Sequence, residues 1–408
     1  MKAMGTIPAG YGCVDGVLTI GGQRADRLVE QAGQTPLFVY DMARIRAHIA
    51  HLRAAMPAAL HLHYAIKANP FPALVAAMAA LTDGLDVASV GEMHVALAAG
   101  GTHVSFAGPG KQNHELEAAI QAGVTLNLES EGETRRALEI ADRLGIQPKL
   151  AVRVNPDFDL KGSGMRMGGG AKPFGVDAER VPALVKHLVA AGADWQGFHI
   201  FAGSQALDAA AIVETQEQTI ALAAKLSDEA GHAPISVNLG GGFGVPYFPK
   251  EVPVDVTFIG EHLSIAIEKR PDILSQTRFA IELGRYLVAD SGVYLTRVID
   301  RKISHGEVFL VPDGGLHHQL AASGNFGTVV RRNYPLAIAT RFDAPPEEVT
   351  SVVGCLCTPL DRLGDQIALP RADEGDLVAV FMAGAYGASA SPAAFLGHPA
   401  PIEIIIGT

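Results

Sequence analysis

Cysteine is scarce in this 408-residue chain, which has only Cys13, Cys355 and Cys357. Three thiols cannot build a disulfide framework, and the C-x-C spacing of Cys355 and Cys357 does not match the usual zinc knuckles. The thiols are therefore expected to be reduced, and no metal site is expected. Long apolar runs are also missing. No segment approaches the length of a membrane span, and Met1–Pro8 lacks the continuous apolar stretch of a secretory signal, so a cytoplasmic protein is expected. Positive charge is in deficit, with 32 Lys and Arg against 43 Asp and Glu and a net charge of -11. That balance argues against a nucleic-acid backbone as main partner and leaves room for a small anionic cofactor. What the chain does have is 48% hydrophobic and 18% charged residues, the make-up of a globular protein with ample core. Its length fits two domains, or one barrel with an appended module.

From about residue 60 to 285, short apolar or β-branched runs alternate with longer Ala-rich amphipathic stretches, the pattern of βαβ units on a parallel sheet. Eight such runs can be counted: His61–Ile66, Leu85–Ala88, His103–Ala107, Thr125–Leu128, Leu150–Val154, Gln196–Phe201, Ile235–Leu239 and Phe279–Leu283. Helices are predicted between them, among others over Glu92–Ala99, Glu131–Leu144, Val181–Ala191, Ala209–Ala230 and Ile259–Lys269. Eight alternations predict an α/β protein with a (β/α)8 TIM barrel over residues 41–285; an open doubly wound sheet is the alternative. The flanks, 1–40 and 286–408, are rich in Val, Ile, Thr, Gly and Pro and read as one β-rich domain of sandwich or barrel type built from both chain ends.

A barrel enzyme gathers its chemistry after its strands, and unusual polar residues and glycines stand there in this chain. Lys67, in Tyr64-Ala65-Ile66-Lys67-Ala68-Asn69-Pro70, leaves the first run, where an amine can meet a carbonyl cofactor. A surface lysine after a strand would look the same in isolation. Asp86 and Ser89 mark the second run, Gly108–Lys111 the third, Asn127 and Glu129 the fourth, and Arg153 the fifth. Phe201 and Ser204 mark the sixth, Gly240-Gly241-Gly242-Phe243-Gly244 the seventh, and Glu282-Leu283-Gly284-Arg285-Tyr286 the eighth. Each could be no more than a turn. Consecutive glycines, however, let backbone N–H groups curl around an oxyanion, and Ser204 and Arg285 can both bond phosphate oxygens.

In order along nearly the whole chain, Pro36–Asp41, Tyr64–Pro70, Asp86–Ser89, the glycine run, Glu282–Tyr286, Cys355–Asp361 and Gly384-Ala385-Tyr386-Gly387 resemble the fold-type III pyridoxal phosphate (PLP) decarboxylases, the family of diaminopimelate, ornithine and arginine decarboxylases. The resemblance implies an alanine-racemase-like barrel, an amino-acid substrate and a homodimer with shared active sites. It also implies that Lys67 carries PLP as a Schiff base and that Gly240 to Gly244, Ser204, Arg285 and Tyr386 hold its phosphate. Glu282 would face the pyridine nitrogen and keep it protonated, and Asp86 and Arg153 would line the pocket. Cys357 matches the cysteine supplied by the partner subunit as general acid. Cys13 and Cys355 read as buried structural thiols.

The chain departs from the family pattern at three places. Where relatives stack a histidine on the cofactor ring, Phe201 stands, which can stack but donates no proton; His199, two residues earlier on the same strand face, can compensate in part. Where diaminopimelate decarboxylases read Cys-Glu-Ser-Gly-Asp, this chain reads Cys357-Thr358-Pro359-Leu360-Asp361, so the glutamate expected at a distal ammonium is gone and Thr358 and Asp361 remain to meet the substrate. The insertion Lys161–Gly170 reads as a mobile lid. These details most resemble a bacterial subfamily associated with exosortase A and exopolysaccharide gene clusters, which is similar to decarboxylases acting on an amino acid tethered to an acyl carrier protein. Adjacent Arg331 and Arg332 could neutralise a distal carboxylate, though a solvated pair is the plainer reading. An amino-acid racemase of the same fold and a non-catalytic regulator of the antizyme-inhibitor kind stand as alternatives.

Overall fold

The computed structural model describes residues 1–324 and 332–407. The chain divides into two compact units. One comprises Ile49–Val245 and Pro253–Tyr286, and the other Met1–His48, Pro246–Val252 and Leu287–Thr408.

The first unit is a closed barrel of eight parallel strands: β1 (His61–Ala65), β2 (Gly84–Val87), β3 (Val104–Phe106), β4 (Thr125–Leu128), β5 (Lys149–Asn155), β6 (Asp194–Ile200), β7 (Ser236–Gly241) and β8 (Arg278–Leu283). Each pairs with the next, and β8 pairs with β1 (Ala280 opposite His61 through Leu283 opposite Tyr64), so the ring has no open edge. All eight apolar runs in the sequence become barrel strands, and the open-sheet alternative falls. A helix follows every strand, from Pro72–Leu81 after β1 to the short Arg285–Val288 after β8.

Local chemistry fixes the helix ends. Ser130 accepts the Glu133 N–H to start Glu131–Leu144, and Gly145, at φ 64°, ends it. Asp208 accepts from Ala210 and Ala211 to start Ala209–Ala230, and Gly231, at φ 73°, ends that helix. Each cap satisfies a backbone group the helix cannot, an effect worth about 1 kcal/mol. β1 stops at Ala65, one residue short of the predicted end, and Ile66–Ala68 tightens into a 3-10 turn. That turn takes Lys67 out of the strand's in-out alternation and leaves it exposed at the C-terminal end of the barrel while Ile66 and Ala68 on either side are buried.

The second unit is β-rich. Its main sheet centres on the long strand Gly292–Ser304, which pairs antiparallel with Leu37–Asp41, Leu377–Val380 and Glu307–Pro312. Ile402–Ile406 adds to Leu37–Asp41 in parallel, so distant segments of the chain share one sheet. Phe38, Tyr40, Tyr294 and Phe381 fill its core with almost no exposed surface. Among the described residues no helix is long and apolar enough to cross a membrane.

Candidate active site

The C-terminal ends of the barrel strands surround a cavity of about 150 Å³ lined by Lys67, Asp86, Arg153, Phe174, His199 and Glu282, among others. These residues come from five different strands or the loops after them, and only barrel closure brings them together. The Lys67 Nζ lies 5.5 Å from the centre of the Phe201 ring, so the aromatic that replaces the family histidine does stand beside the lysine.

Glu282 is the electrostatic centre of the site. It is 7% exposed, its Oε2 lies 3.0 Å from His199 Nε2, and it accepts an N–H from Asn238 Nδ2 at 3.2 Å. Burial pushes its carboxyl up, but the His199 imidazole, with Lys67 and Arg153 behind it, outweighs burial and holds the carboxyl down at about 2. It is therefore ionised at any working pH. His199 is 3% exposed, packs against this acid and also lines the Lys67 cavity.

Arg153 is clamped by Glu129 at 3.0 Å and lies 5.0 Å over the Phe174 ring. Glu129 also accepts the N–H groups of Gly108 at 2.5 Å and Gly175 at 3.1 Å, which ties the loops after β3 and β5 to β4. Lys111, in the loop after β3, is structural: its ammonium is buried against Glu133 at 2.7 Å.

The glycine run is dictated first by backbone packing. A Cβ on Gly241 would stand 2.0 Å from the Glu282 carbonyl oxygen, and one on Gly242, at φ 74°, would stand 2.2 Å from that of Gly203. Within the run the Gly240 N–H is donated to Asn238 Oδ1 at 2.9 Å and the Gly244 N–H to Ala206 O at 2.8 Å. An anion cradled there would take its N–H donors from Gly242 and Phe243. Ser204 lies across from the run in the short strand Gly203–Ser204, and Arg285 follows β8 at Gly284. Gly241→Ala forces β7 away from β8, because the Glu282 carbonyl that the new Cβ meets first is backbone and cannot swing aside. We expect a loss of about 3 kcal/mol and a melting temperature lower by roughly 6–12 °C, read by thermal unfolding without cofactor.

The Lys161–Gly170 insertion is not a free loop. Met165 and Arg166 pair antiparallel with Ser204 and Gly203, and the Met167 and Gly168 N–H groups both bond the Ala202 carbonyl, at 3.0 and 3.1 Å. Met167 lines the Lys67 cavity.

Sequence reasoning missed two residues of this site. His63 Nδ1 lies 3.4 Å from Asp86 Oδ2; burial opposes its charge, but Asp86 outweighs burial and raises the His63 pKa. Its only signal is a polar residue inside an apolar strand. Asn238, which holds Glu282 and the Gly240 N–H together, announces itself only by standing two residues before the glycines.

Cys357, Thr358, Asp361 and Tyr386 belong to the β-rich unit. Cys357 is exposed and Thr358 half-buried, while Tyr386 holds a left-handed backbone at φ 54°. Asp361, expected to meet the substrate, is held in the structure by its own loops. It is 2% exposed, its two oxygens accept the N–H groups of Leu316 at 2.7 Å and Leu356 at 2.9 Å, and a Cβ on Gly315 or Gly354 would stand within 2.4 Å of it. The carboxylate is caged as a loop anchor. Cys13 is exposed and Cys355 half-buried, so neither is the fully buried thiol expected. Arg332 is held by Glu251 at 3.2 Å and stacked 3.6 Å over Phe248, and Arg331 lies outside the described residues.

The family model for the pyridoxal binding domain of pyridoxal-dependent decarboxylases matches residues 42–289, more than half of the chain. The chain belongs to that family. The decarboxylase is 38% identical over 380 residues to the L-glutamyl-[BtrI acyl-carrier protein] decarboxylase of Niallia circulans, covering 91% of this chain and 89% of the relative. It is 32% identical over 400 residues to the diaminopimelate decarboxylase of Archaeoglobus fulgidus, covering 96% and 92%. The diaminopimelate decarboxylase structure from M. jannaschii in complex with L-lysine superposes with a TM-score of 0.87 at 26% identity, over 98% of this chain and 93% of that one. The protein is thus a PLP-dependent amino-acid decarboxylase, which sets aside the non-catalytic reading. The residues present fit the cofactor: an amine and an ionised buried acid line one cavity, the glycine run packs against the backbone of that acid, and an ionised carboxylate of this kind suits a protonated pyridine nitrogen. When bound, PLP supplies the electron sink that decarboxylation requires.

Proposed function

We propose that this decarboxylase acts as a homodimer on an amino acid held on an acyl carrier protein through a thioester at its side-chain carboxyl, which leaves the α-carboxylate free to depart as CO2. The observation that carries this reading is the fate of Asp361. The sequence around Cys357 has already lost one acid, and the remaining carboxylate is consumed by two backbone N–H groups. A free diamino acid would bring a distal ammonium to a loop with no acid to meet it, and a desolvated charge without a partner is costly. A thioester end carries no charge, so the same loop suits it. The Niallia circulans relative, named for a carrier-linked substrate, supports this reading.

In this proposal Lys67 holds the cofactor, Glu282 keeps a proton on the ring nitrogen, and Gly242, Phe243, Ser204, Arg285 and Tyr386 bind the phosphate. Asp86 and Arg153 line the pocket, Phe201 stacks on the ring, and Cys357 of one protomer delivers the proton that replaces the departing carboxylate in the other. Thr358 flanks the substrate's distal end. The cytoplasmic location and the exopolysaccharide-cluster association read from the sequence belong to the same proposal. Racemisation is disfavoured because an ionised acid at the ring nitrogen strengthens the electron sink.

The test is CO2 release from free amino acids and from the same amino acids loaded on the carrier protein through their side-chain carboxyl. The expected outcome is a kcat/KM at least about 100-fold higher for the thioester, near 2.7 kcal/mol of transition-state binding. Equal or faster turnover of the free acid would overturn the reading.

A further inference from the structure

The β-rich unit holds a cluster that decarboxylation does not use. His317 lies in the turn after the strand Glu307–Pro312, Cys355 two residues past the strand Glu348–Val353, and His398 just beyond the 3-10 turn Phe395–Gly397. These three separate segments bring one ligand atom each to within 4.8 Å of one another. Cys355 Sγ is 3.9 Å from His398 Nδ1, and the rings of His317 and His398 have centroids 5.1 Å apart.

His317 makes the cluster unusual. It is 0% exposed, and among the described residues neither of its ring nitrogens has a hydrogen-bond partner. A neutral imidazole carries one donor and one acceptor, and buried polar atoms in folded proteins are almost always satisfied. The neighbouring His318 does not relieve it. Its ring lies tilted against His317, with centroids 3.7 Å apart, and its nitrogens meet Tyr294 Oη at 3.1 Å and the Pro399 carbonyl at 2.9 Å. Burial, with Asp361 nearby, pushes the Cys355 thiol up to about 11.

Two imidazoles and one thiol are the donor set of a borderline-soft divalent ion. In a tetrahedral zinc site, bonds of about 2.0–2.1 Å to nitrogen and 2.3 Å to sulfur place the ligand atoms roughly 3.3–3.7 Å apart. The Cys355–His398 edge, at 3.9 Å, is already close to that, and the widest edge, within 4.8 Å, must shorten by about 1 Å on binding. We propose that His317, Cys355 and His398 bind one zinc-class divalent ion, with a fourth position open to water. Binding replaces the thiol proton: the Cys355 S–H bond breaks, an S–metal bond forms, and one proton passes to solvent without redox change. Cys355 lies two residues before the exposed Cys357, so the ion would pin the loop carrying Cys357 to the sheet. The C-x-C spacing gives no hint of this, because the site takes one cysteine and finds its other ligands in distant segments.

The experiment uses the full-length, tag-free, PLP-loaded protein, stripped of metal, exposed to Zn²⁺ or Co²⁺ and gel-filtered. The expected result is about one metal per chain and, with cobalt, ligand-field bands of tetrahedral intensity at wavelengths beyond the cofactor's absorption. Zinc should also raise the wild-type melting temperature. Cys355→Ser and His398→Gln should each hold less than about a tenth of an equivalent while keeping the cofactor band, and zinc should not raise their melting temperatures. Should Cys355→Ser fail to fold, His398→Gln, at a half-buried position, decides alone. Wild-type protein retaining under about a tenth of an equivalent, or variants retaining a full one, would overturn the proposal.

Discussion

Lys67→Ala is expected to abolish turnover, a fall of at least about 10⁴-fold in kcat, and to remove the near-violet absorption of the cofactor-loaded protein. The reason is positional. The 3-10 turn at Ile66–Ala68 places one amine at the open end of the barrel, 5.5 Å from Phe201. No second lysine lines the cavity described around it. Because Lys67 is exposed and forms no ion pair among the described residues, the variant should unfold at nearly the wild-type temperature in the absence of cofactor, separating lost chemistry from lost fold. The same variant tests the shared site. Mixed and reassembled at equal amounts with Cys357→Ala, it should recover about a quarter of wild-type activity, since half of randomly paired dimers then carry one intact site of two. No recovery in dimers proven to have exchanged subunits would show that Lys67 and Cys357 do not act across the interface.

Glu282→Gln is expected to cost on the order of 10²–10³-fold in kcat with a much smaller change in KM, because the lost charge acts on the transition state. The amide keeps the shape and the Asn238 contact but cannot hold a proton on a ring nitrogen, and it leaves His199 without its counter-charge. Steady-state kinetics should show partial rescue by Glu282→Asp. The pH dependence follows from the sign of the shift. The folded carboxyl titrates at about 2, below its value of 4.5 in the unfolded chain, so the ionised form stabilises the fold above pH 4.5, and that contribution is lost as pH falls toward 2. The stability difference between wild type and Glu282→Gln, measured by denaturant titration, should therefore be full near neutral pH and shrink in acid. The acid limb of the wild-type rate profile should not come from Glu282. A difference that stays constant from pH 7 to pH 3 would contradict the pairing with His199.

Barrel strands were legible because their apolar runs are short and bounded by turn residues, and because caps such as Ser130 with Gly145 and Asp208 with Gly231 are written locally. Helix Pro72–Leu81 carries its apolar residues on nearly every face, so periodicity gives it no outline. In the site, Lys67, Glu282 and the glycine run were legible because motif order constrains them. The roles of His63, Asn238 and Asp361 were not, since each depends on a partner from another strand or loop: Asp86, Glu282, and the Leu316 and Leu356 amides. A carboxylate four residues after Cys357 gives no sign in sequence that backbone amides stand on its two oxygens.

The parallel pairing of Ile402–Ile406 with Leu37–Asp41 imposes a timetable on biosynthesis. The earlier strand leaves the ribosome long before its neighbour exists, and meanwhile the barrel that separates them in the chain can mature as an independent body. Until translation passes residue 406, one flank of that strand stays unzipped and prone to chaperone capture or to pairing with a neighbouring nascent chain.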